Sequence, residues 1–374
     1  MKGRISAIDA AIMMRDKLVD VSQGVKRYGI STFSGTQMQR YYDSSVIPDD
    51  FFRPFTPVKD VKNRRLNAIY DPDFDMYFHT LMDYPTIIQS KLGGRWEQYN
   101  HMIAVQVAAC TQFNCWHCYL DEELKRGEKC TFITASQIVD SFLQQRERDK
   151  QIGIEDNVLR ITGGEPFLLP DLILDCLKEF RSRGLDKEVF IWTETNLSPF
   201  LKRIESDKTL VEEWLAKEES SLHELAQYKN FCVHPCLHGI NRENMEWITK
   251  NVDAQCFDDL VEGLKILIEH GIDIYPTFGA NVVPPQSVSA IFHKLLCIDK
   301  NLPLRFALIN YDFNYEQVFA RMKSNIERYS MVYNKDLVIY LWDELIRKQY
   351  YSEYGETIEY AKIPRHEIPL GQEH

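Results

Sequence analysis

Cys110-Thr111-Gln112-Phe113-Asn114-Cys115-Trp116-His117-Cys118-Tyr119 sets three cysteines within nine positions, spaced C-x4-C-x2-C. The segment just before it, Met102-Ile103-Ala104-Val105-Gln106-Val107-Ala108, reads as a short buried strand. Forty-five positions beyond Cys118 a second apolar strand, Val158-Leu159-Arg160-Ile161-Thr162, runs into Gly163-Gly164-Glu165-Pro166. One strand ends in a thiol cluster and a later one in a glycine-rich turn. The rest of the chain reads as the scaffold that holds the two.

The strand-and-turn unit repeats outward from this stretch. Thr134 with Gln137 predicts a capping box, followed by Ile138, Val139, Phe142 and Leu143 at helical spacing. Pro170 suits a first helical turn, and Leu172, Ile173, Cys176, Leu177 and Phe180 make one stripe that Gly184 ends. Residues 189–193 predict a third strand ending in Glu194-Thr195-Asn196, and 210–225 a helix. Residues 231–234 predict a fourth strand leading to His238-Gly239, and 257–268 a helix. Residues 272–278 and 304–309 predict strands five and six around a short helix at 288–296. Strands alternating with helices predict parallel units with right-handed crossovers. Strands apolar throughout predict cover on both faces, and six units are too few for the eight-stranded closed barrel. The expected fold class is α/β: a partial (β/α)6 TIM-like barrel over 98–312, with an N-terminal extension (1–97) and a helical C-terminal extension (313–374). In such folds ligands sit at the carboxyl ends of the strands, where the cysteines, Gly-Gly-Glu-Pro, Glu194-Thr195-Asn196, His238-Gly239 and Gly279-Ala280-Asn281 all fall.

The extensions are less informative. Ile8, Ala11, Ile12 and Leu18 predict a helix, and Pro48, Pro54 and Pro57 with Lys59, Lys62, Arg64 and Arg65 read as a solvated linker. The aromatic-rich stretch 70–84 is expected to pack on the main domain, and 316–328 and 337–348 predict two helices. The net charge of -11 makes nucleic acid a less expected partner. No run approaches the ~18 apolar residues of a membrane span, and no apolar signal core is evident. Nine cysteines in a long chain read as thiols in a reducing, cytoplasmic setting rather than a disulfide framework. Cys130, Cys176, Cys232, Cys256 and Cys297 read as ordinary cysteines. Arg305, among apolar neighbours, reads as a buried ion pair in preference to an anion site.

Thiolates bind soft or borderline metals. A structural zinc site wants four ligands; here there are three, and Cys130 stands twelve residues on. His117 is expected to point away, because it lies between Cys115 and Cys118. A four-iron cluster with three protein thiolates keeps one iron open, and an open iron implies that something binds there.

The cysteine triplet after one strand, followed by Gly-Gly-Glu-Pro after the next, resembles the radical S-adenosylmethionine (radical SAM) superfamily over about residues 100–310. The family's usual spacing is C-x3-C-x2-C; this chain has one residue more. The resemblance implies a [4Fe-4S] cluster on Cys110, Cys115 and Cys118, with S-adenosyl-L-methionine on the fourth iron through its amine and carboxylate. One electron would cleave the sulfonium to give methionine and a 5'-deoxyadenosyl radical that takes hydrogen from a substrate. It implies Gly163, Gly164, Glu165 and Pro166 beside the methionine amine, and His117 where an aromatic contacts adenine. Glu194 and Asn196 would reach the ribose hydroxyls or carboxylate, or cap the next helix. His238, or its competitor His234, would lie near the cofactor carboxylate. A single cluster implies an external one-electron donor of the flavodoxin or ferredoxin type, and the acidic balance favours a small-molecule or peptide substrate. Two other readings stand beside it: a zinc-binding non-enzymatic interaction module, and an iron-sulfur electron-transfer protein without radical chemistry.

Overall fold

The computed structural model describes residues 7–32, 52–54, 84–111, 114–203, 205–250, 256–309, 311, 316–322, 325–354 and 365–371. The linker at 48–65 and the aromatic stretch 70–84 fall outside these residues, apart from 52–54 and Tyr84. Ten strands are assigned: β1 (Val19–Asp20), β2 (Arg27–Ser31), β3 (Phe52–Pro54), β4 (Ile103–Val107), β5 (Cys130–Ile133), β6 (Val158–Gly163), β7 (Phe190–Thr195), β8 (Phe231–Leu237), β9 (Thr277–Gly279) and β10 (Ala307–Ile309). β4, β6, β7, β8, β9 and β10 pair in that order and all in parallel. The six-stranded partial barrel expected from the alternation is therefore present. Its helices begin where the caps predicted: Thr134 and Gln137 exchange both capping-box bonds ahead of the helix Ala135–Gln151, and Pro170 opens the helix Pro170–Ser182.

The N-terminal extension joins this sheet. β2 pairs antiparallel with β4 at Ile30↔Val107 and with β5 from Tyr28↔Ile133 to Ser31↔Cys130. β3 covers the other half of the β4 edge, Phe52↔Val105 to Pro54↔Ile103. The open edge is thus paired rather than exposed. Arg15 and Lys26 both donate to buried Asp171, at 3.2 and 3.1 Å, and Tyr28 Oη donates to Asp175. Two cations on one buried carboxylate satisfy a charge that would otherwise be costly.

Two cores result. Outward-facing Val105, Val107, Leu159, Ile161, Ile191 and Val233 pack on helix residues such as Ile138, Phe142, Leu172, Leu177 and Leu264. Inward-facing Val158, Phe190, Trp192, Cys232 and Tyr275 fill the amino end of the barrel, and the helix Tyr84–Leu92 plugs it with Tyr84, Ile87 and Ile88. Toward the carboxyl end the inward positions turn polar: Gln106, Arg160, Thr162, Glu194 and His234. The strands are therefore not apolar throughout.

Several boundaries differ from expectation. The fifth strand shortens to Thr277–Gly279, because Pro276 has no N–H for the ladder. Leu302–Arg305 is a helical turn, so Arg305 precedes the sixth strand. Its guanidinium pairs with Asp273 at 2.9 Å and donates to Ile368 O at 2.7 Å, as a buried ion pair. Residues 210–225 form two helices, Leu210–Lys217 and Leu222–Ala226, the second capped by Ser221. The C-terminal region holds Glu316–Arg321 and one thirty-residue helix, Asn325–Tyr354, where a second short helix was expected. No helix among the described residues is long and apolar enough to cross a membrane.

Asp156, buried ahead of β6, faces Asp149 on the helix Ala135–Gln151. Burial first, then the hydrogen bond and repulsion from Asp149, push its carboxyl well above the usual range, with Arg146 opposing. A carboxyl raised on folding gives stability that is full at low pH and is lost as pH rises toward the folded value. Asp156→Asn is therefore expected to be close to wild type in Tm near pH 4 and more stable at pH 8. Parallel Tm–pH curves for the two proteins would contradict this.

Candidate functional site

The two motifs touch through their backbones. β4 ends at Val107, and Ala109 takes a left-handed backbone (φ 64°) before Cys110. Gly164 N donates to Val107 O and Glu165 N to Ala109 O, each at 3.0 Å. A Cβ on Gly164 would lie 1.5 Å from Ala109 O, inside any contact radius, so only glycine lets the cysteine segment seat there. Gly163 has φ 103°, and a Cβ on it would meet Gln106 Cβ at 2.6 Å. The far side of the same segment is held by Ala109 N to Leu124 O (3.0 Å) and Cys110 N to Lys125 O (2.9 Å).

Glu165 is fully buried and accepts three hydrogen bonds. Its Oε1 accepts from Phe167 N (2.9 Å) and Thr195 Oγ1 (2.8 Å), and its Oε2 from Asn196 N (2.6 Å). Burial raises its pKa to about 7 against these three donors, which act in the opposite direction. Asn196 Nδ2 then lies 3.4 Å from Cys110 Sγ, and its Oδ1 accepts from Ser198 N at 2.9 Å. Ser198 Oγ reaches Thr111 Oγ1 at 2.9 Å. The end of β7 is therefore tied both to Gly-Gly-Glu-Pro and to the first cysteine.

The other two cysteines sit on a tight turn, with Cys118 N donating to Cys115 O at 3.1 Å. This loop docks on the end of the helix Arg242–Thr249: Asn114 N donates to Thr249 O (2.8 Å), Trp116 N to Ile248 O (3.2 Å), and Trp116 meets Trp247 edge-on at 5.2 Å. Asn114, within the lengthened C-x4-C spacing, also accepts from Lys125 Nζ at 2.7 Å. Arg321, from the C-terminal extension, donates to Cys118 O, to Leu120 O and to Glu122. Burial raises all three thiols, Cys110 to about 12; Cys110 and Cys115 are pushed up further by neighbouring thiols, and Lys125 opposes the rise at all three.

Among the described residues, the group of three or more His, Cys, Asp or Glu side chains whose ligating atoms all come within 4.8 Å is Cys115, His117 and His238. Cys110, Cys115 and Cys118 do not make such a group. Thiolates on one tetrahedral zinc would stand roughly 3.8 Å apart, from Zn–S distances of about 2.3 Å. At least one pair of the three thiols is therefore more than 4.8 Å apart, wider than a single tetrahedral ion needs.

The space above the apolar plug is lined by polar groups that the protein does not satisfy. Glu194 is ion-paired with Arg160 and accepts from Thr162 Oγ1 at 2.5 Å. Burial would raise its pKa, yet Arg160 and the other donors hold it well below the usual range. His234 Nδ1 lies 3.8 Å from Glu194, beyond hydrogen-bond reach. His117 stacks on Tyr311 (4.1 Å, 20°), and His238 lies 5.6 Å from His117. Burial lowers His117 well below its ordinary value and His238 to about 4, so both rings are neutral near pH 7. Gln106 Oε1, His117 Nδ1, both His234 ring nitrogens and Tyr311 Oη are buried with no hydrogen-bond partner among the described residues. Such clustering of unmet polar atoms marks a place for a polar ligand.

The structure thus brings Cys110, Cys115, Cys118, His117, Gly163, Gly164, Glu165, Pro166, Glu194, Asn196, His234 and His238 to the carboxyl end of one barrel. Three details depart from the sequence reading. Glu165 already accepts three of the protein's own donors, a use its place in the motif did not announce. Glu194 is taken by Arg160 and Thr162 and caps no helix. His117 points inward, because the 115–118 turn swings it toward His238 while Trp116 packs outward. Sequence reasoning missed Lys125, Arg321 and Tyr311. Tyr311 carried a signal, since it follows the sixth strand at the same level as the other polar turns. Asn281 holds it by two 3.0 Å backbone bonds.

Gly164→Ala is expected to unseat the Cys110 segment, at a cost of about 1–3 kcal/mol or more from overpacking against backbone. After anaerobic reconstitution the variant should carry well under half the wild-type iron while keeping its far-ultraviolet circular dichroism. Wild-type iron content would contradict the close approach.

The family model described as the Radical SAM superfamily matches residues 107–293, half of the chain. The curated proteins gave no match. Among solved structures the chain is similar to a radical SAM methyltransferase from Sphaerobacter thermophilus, at 12% identity over 52% of each chain (TM-score 0.36). It is also similar to coproporphyrinogen III oxidase (HemN) from Escherichia coli, at 14% identity over 66% of this chain and 52% of that one (TM-score 0.36). A third is the cobalamin-dependent S-adenosylmethionine radical enzyme OxsB with aqua-cobalamin bound, at 11% identity over 63% and 30% (TM-score 0.37). The chain spans about half the length of the first two. On the family match, which begins at the last residue of β4 and takes in the cysteines and Gly-Gly-Glu-Pro, the chain belongs to the radical SAM superfamily, whose cofactors are a [4Fe-4S] cluster and S-adenosyl-L-methionine.

Proposed function

We propose that this chain is an enzyme that reductively cleaves S-adenosylmethionine and uses the resulting 5'-deoxyadenosyl radical to take hydrogen from a small-molecule or peptide substrate. The observation that carries the reading is the placement of three cysteines just after β4, inside the family match, at the same end of the barrel as buried polar atoms of Gln106, His117, His234 and Tyr311 that have no hydrogen-bond partner among the described residues. When bound, the cluster and its cofactor supply the electron and the radical; the protein supplies position and dryness.

Cys110, Cys115 and Cys118 would hold the cluster, with Asn196 Nδ2 on Cys110 Sγ and Lys125 as a nearby cation. Hydrogen bonds and positive charge near cluster sulfurs stabilise the more negative, reduced form. Gly163 and Gly164 let the cysteine segment pack close to the Gly-Gly-Glu-Pro turn, and the methionine ammonium would be met at that turn by backbone carbonyls or by Glu165. Glu194, ionised and held by Arg160, presents a fixed acceptor inside the barrel. His234 offers two free ring nitrogens beside it. His117 and Tyr311, stacked together, make a flat wall next to Cys115 suited to an adenine or a substrate ring. The apolar plug of Trp192, Tyr275 and Tyr84 closes the amino end, which leaves the carboxyl end as the way in and keeps water from the reacting centre. The electron would come from a flavodoxin- or ferredoxin-type donor. The net charge of -11 favours a small molecule or peptide over nucleic acid as substrate.

The test is anaerobic reconstitution with iron and sulfide, reduction by dithionite, and addition of S-adenosylmethionine with substrate mixtures. The expected product is 5'-deoxyadenosine from the wild type and none from Cys110→Ala, Cys115→Ala or Cys118→Ala. A brown, fully loaded wild type that forms no 5'-deoxyadenosine would overturn the proposal.

A further inference from the structure

We infer that Cys115, His117 and His238 form a second metal site, one that takes a single zinc-like divalent ion in the cluster-free protein and excludes the cluster while it is filled. One sulfur and two ring nitrogens, from three different side chains, lie within 4.8 Å of one another. A tetrahedral zinc with Zn–N of about 2.0–2.1 Å and Zn–S of about 2.3 Å needs edges of roughly 3.4–3.6 Å, so a small closing movement completes the site. Cys115 and His117 are buried, and His117 Nδ1 has no hydrogen-bond partner among the described residues.

The geometry has a clear origin. Cys118 N on Cys115 O closes the turn, and Trp116 anchors outward on Trp247, so His117 is carried inward. His238, just beyond β8, meets it there, and Tyr311 stacks on His117 from the next face, held by Asn281. Two nitrogens and one sulfur suit a borderline ion such as zinc or cobalt. Three protein ligands leave a fourth position for water. Binding converts the Cys115 thiol to a thiolate and releases one proton to solvent; nothing is oxidised or reduced.

Cys115 cannot serve this ion and the cluster at once. The chain therefore has two exclusive metal states: a one-sulfur, two-nitrogen divalent form, and the three-sulfur cluster form on which the proposed activity depends. Only this exclusion rests on the cluster reading; the divalent site stands or falls on its own.

The test uses the full chain, cluster-free, reduced and anaerobic, titrated with Zn2+ by calorimetry and with Co2+ by absorption. One equivalent should bind, and the cobalt spectrum should carry the charge-transfer intensity of one thiolate. His117→Ala, His238→Ala and Cys115→Ser should each weaken binding by more than the roughly 10–100-fold typical of losing a mere outer-shell partner. His238→Gln serves as a second variant should His238→Ala fail to fold by circular dichroism. Cys110→Ser and Cys118→Ser should bind as wild type does. Zinc-filled wild type should take up little iron on reconstitution, and cluster-loaded wild type should take up no zinc at this affinity. Three outcomes would overturn the inference: wild-type affinity in the histidine variants, loss of binding in Cys110→Ser and Cys118→Ser with a three-thiolate cobalt spectrum, or zinc uptake equal with and without the cluster. The 5'-deoxyadenosine assay is independent of all of these, so failure of the radical reading and failure of this one are separately visible.

Discussion

The Glu165 carboxylate ties together the ends of three strands. It follows β6, its amide holds Ala109 beyond β4, and its two oxygens hold Thr195 and Asn196 at the end of β7. Each of these contacts needs the others. The cysteine segment can seat on Gly-Gly-Glu-Pro only because Gly164 has no Cβ. The carboxylate can be buried only because Phe167 N, Thr195 Oγ1 and Asn196 N satisfy it. Asn196, once oriented this way, has its amide nitrogen left for Cys110 Sγ. The position of the first cysteine is thus set by hydrogen bonds that begin two strands away.

The barrel interior divides the labour along its axis. Trp192, Phe190, Tyr275 and Cys232, plugged by Tyr84, Ile87 and Ile88, make the amino end an ordinary hydrophobic core. The carboxyl end instead holds an ionised pair, Arg160 and Glu194, and ring nitrogens of His117 and His234 that have no hydrogen-bond partner among the described residues. Buried polar groups left unmet are costly to a fold, and several of them, on Gln106, His117, His234 and Tyr311, lie at this end of the barrel. The extensions brace this end from outside. Arg15 and Lys26 fix the N-terminal strands to Asp171, and Arg321 grips the carbonyls after the last cysteine.

What the sequence disclosed was local. The six parallel strands, the Thr134–Gln137 box and the Pro170 helix start are written in short-range patterns, and so is the gathering of polar turns at one end. What stayed hidden depends on distant partners. β2 is a strand because Ile30 meets Val107 and Tyr28 meets Ile133, and Arg-Tyr-Gly-Ile-Ser has no period to announce it. The helix Asn325–Tyr354 runs unbroken because it contains neither Gly nor Pro, although its apolar pattern lapses midway. One helix was expected at 210–225; Ser221, accepting from Glu224 N, starts a second at Leu222. In the site, spacing gave the cysteines and glycines, but not that Glu165 would accept three of the protein's own donors or that His117 would turn inward. Both outcomes are set by the 115–118 turn and by Thr195 and Asn196, which are tertiary facts. Within the longer spacing between Cys110 and Cys115, Asn114 is tied to Thr249 and Lys125.

Cys110, Cys115 and Cys118 are proposed to hold a four-iron cluster with one iron left for an outside ligand. Mössbauer spectroscopy of 57Fe-reconstituted protein, with and without S-adenosylmethionine, tests it most directly. The account predicts that one iron in four changes its isomer shift and quadrupole splitting when S-adenosylmethionine is added, while the other three stay as they were. Four irons that are indifferent to S-adenosylmethionine would contradict it.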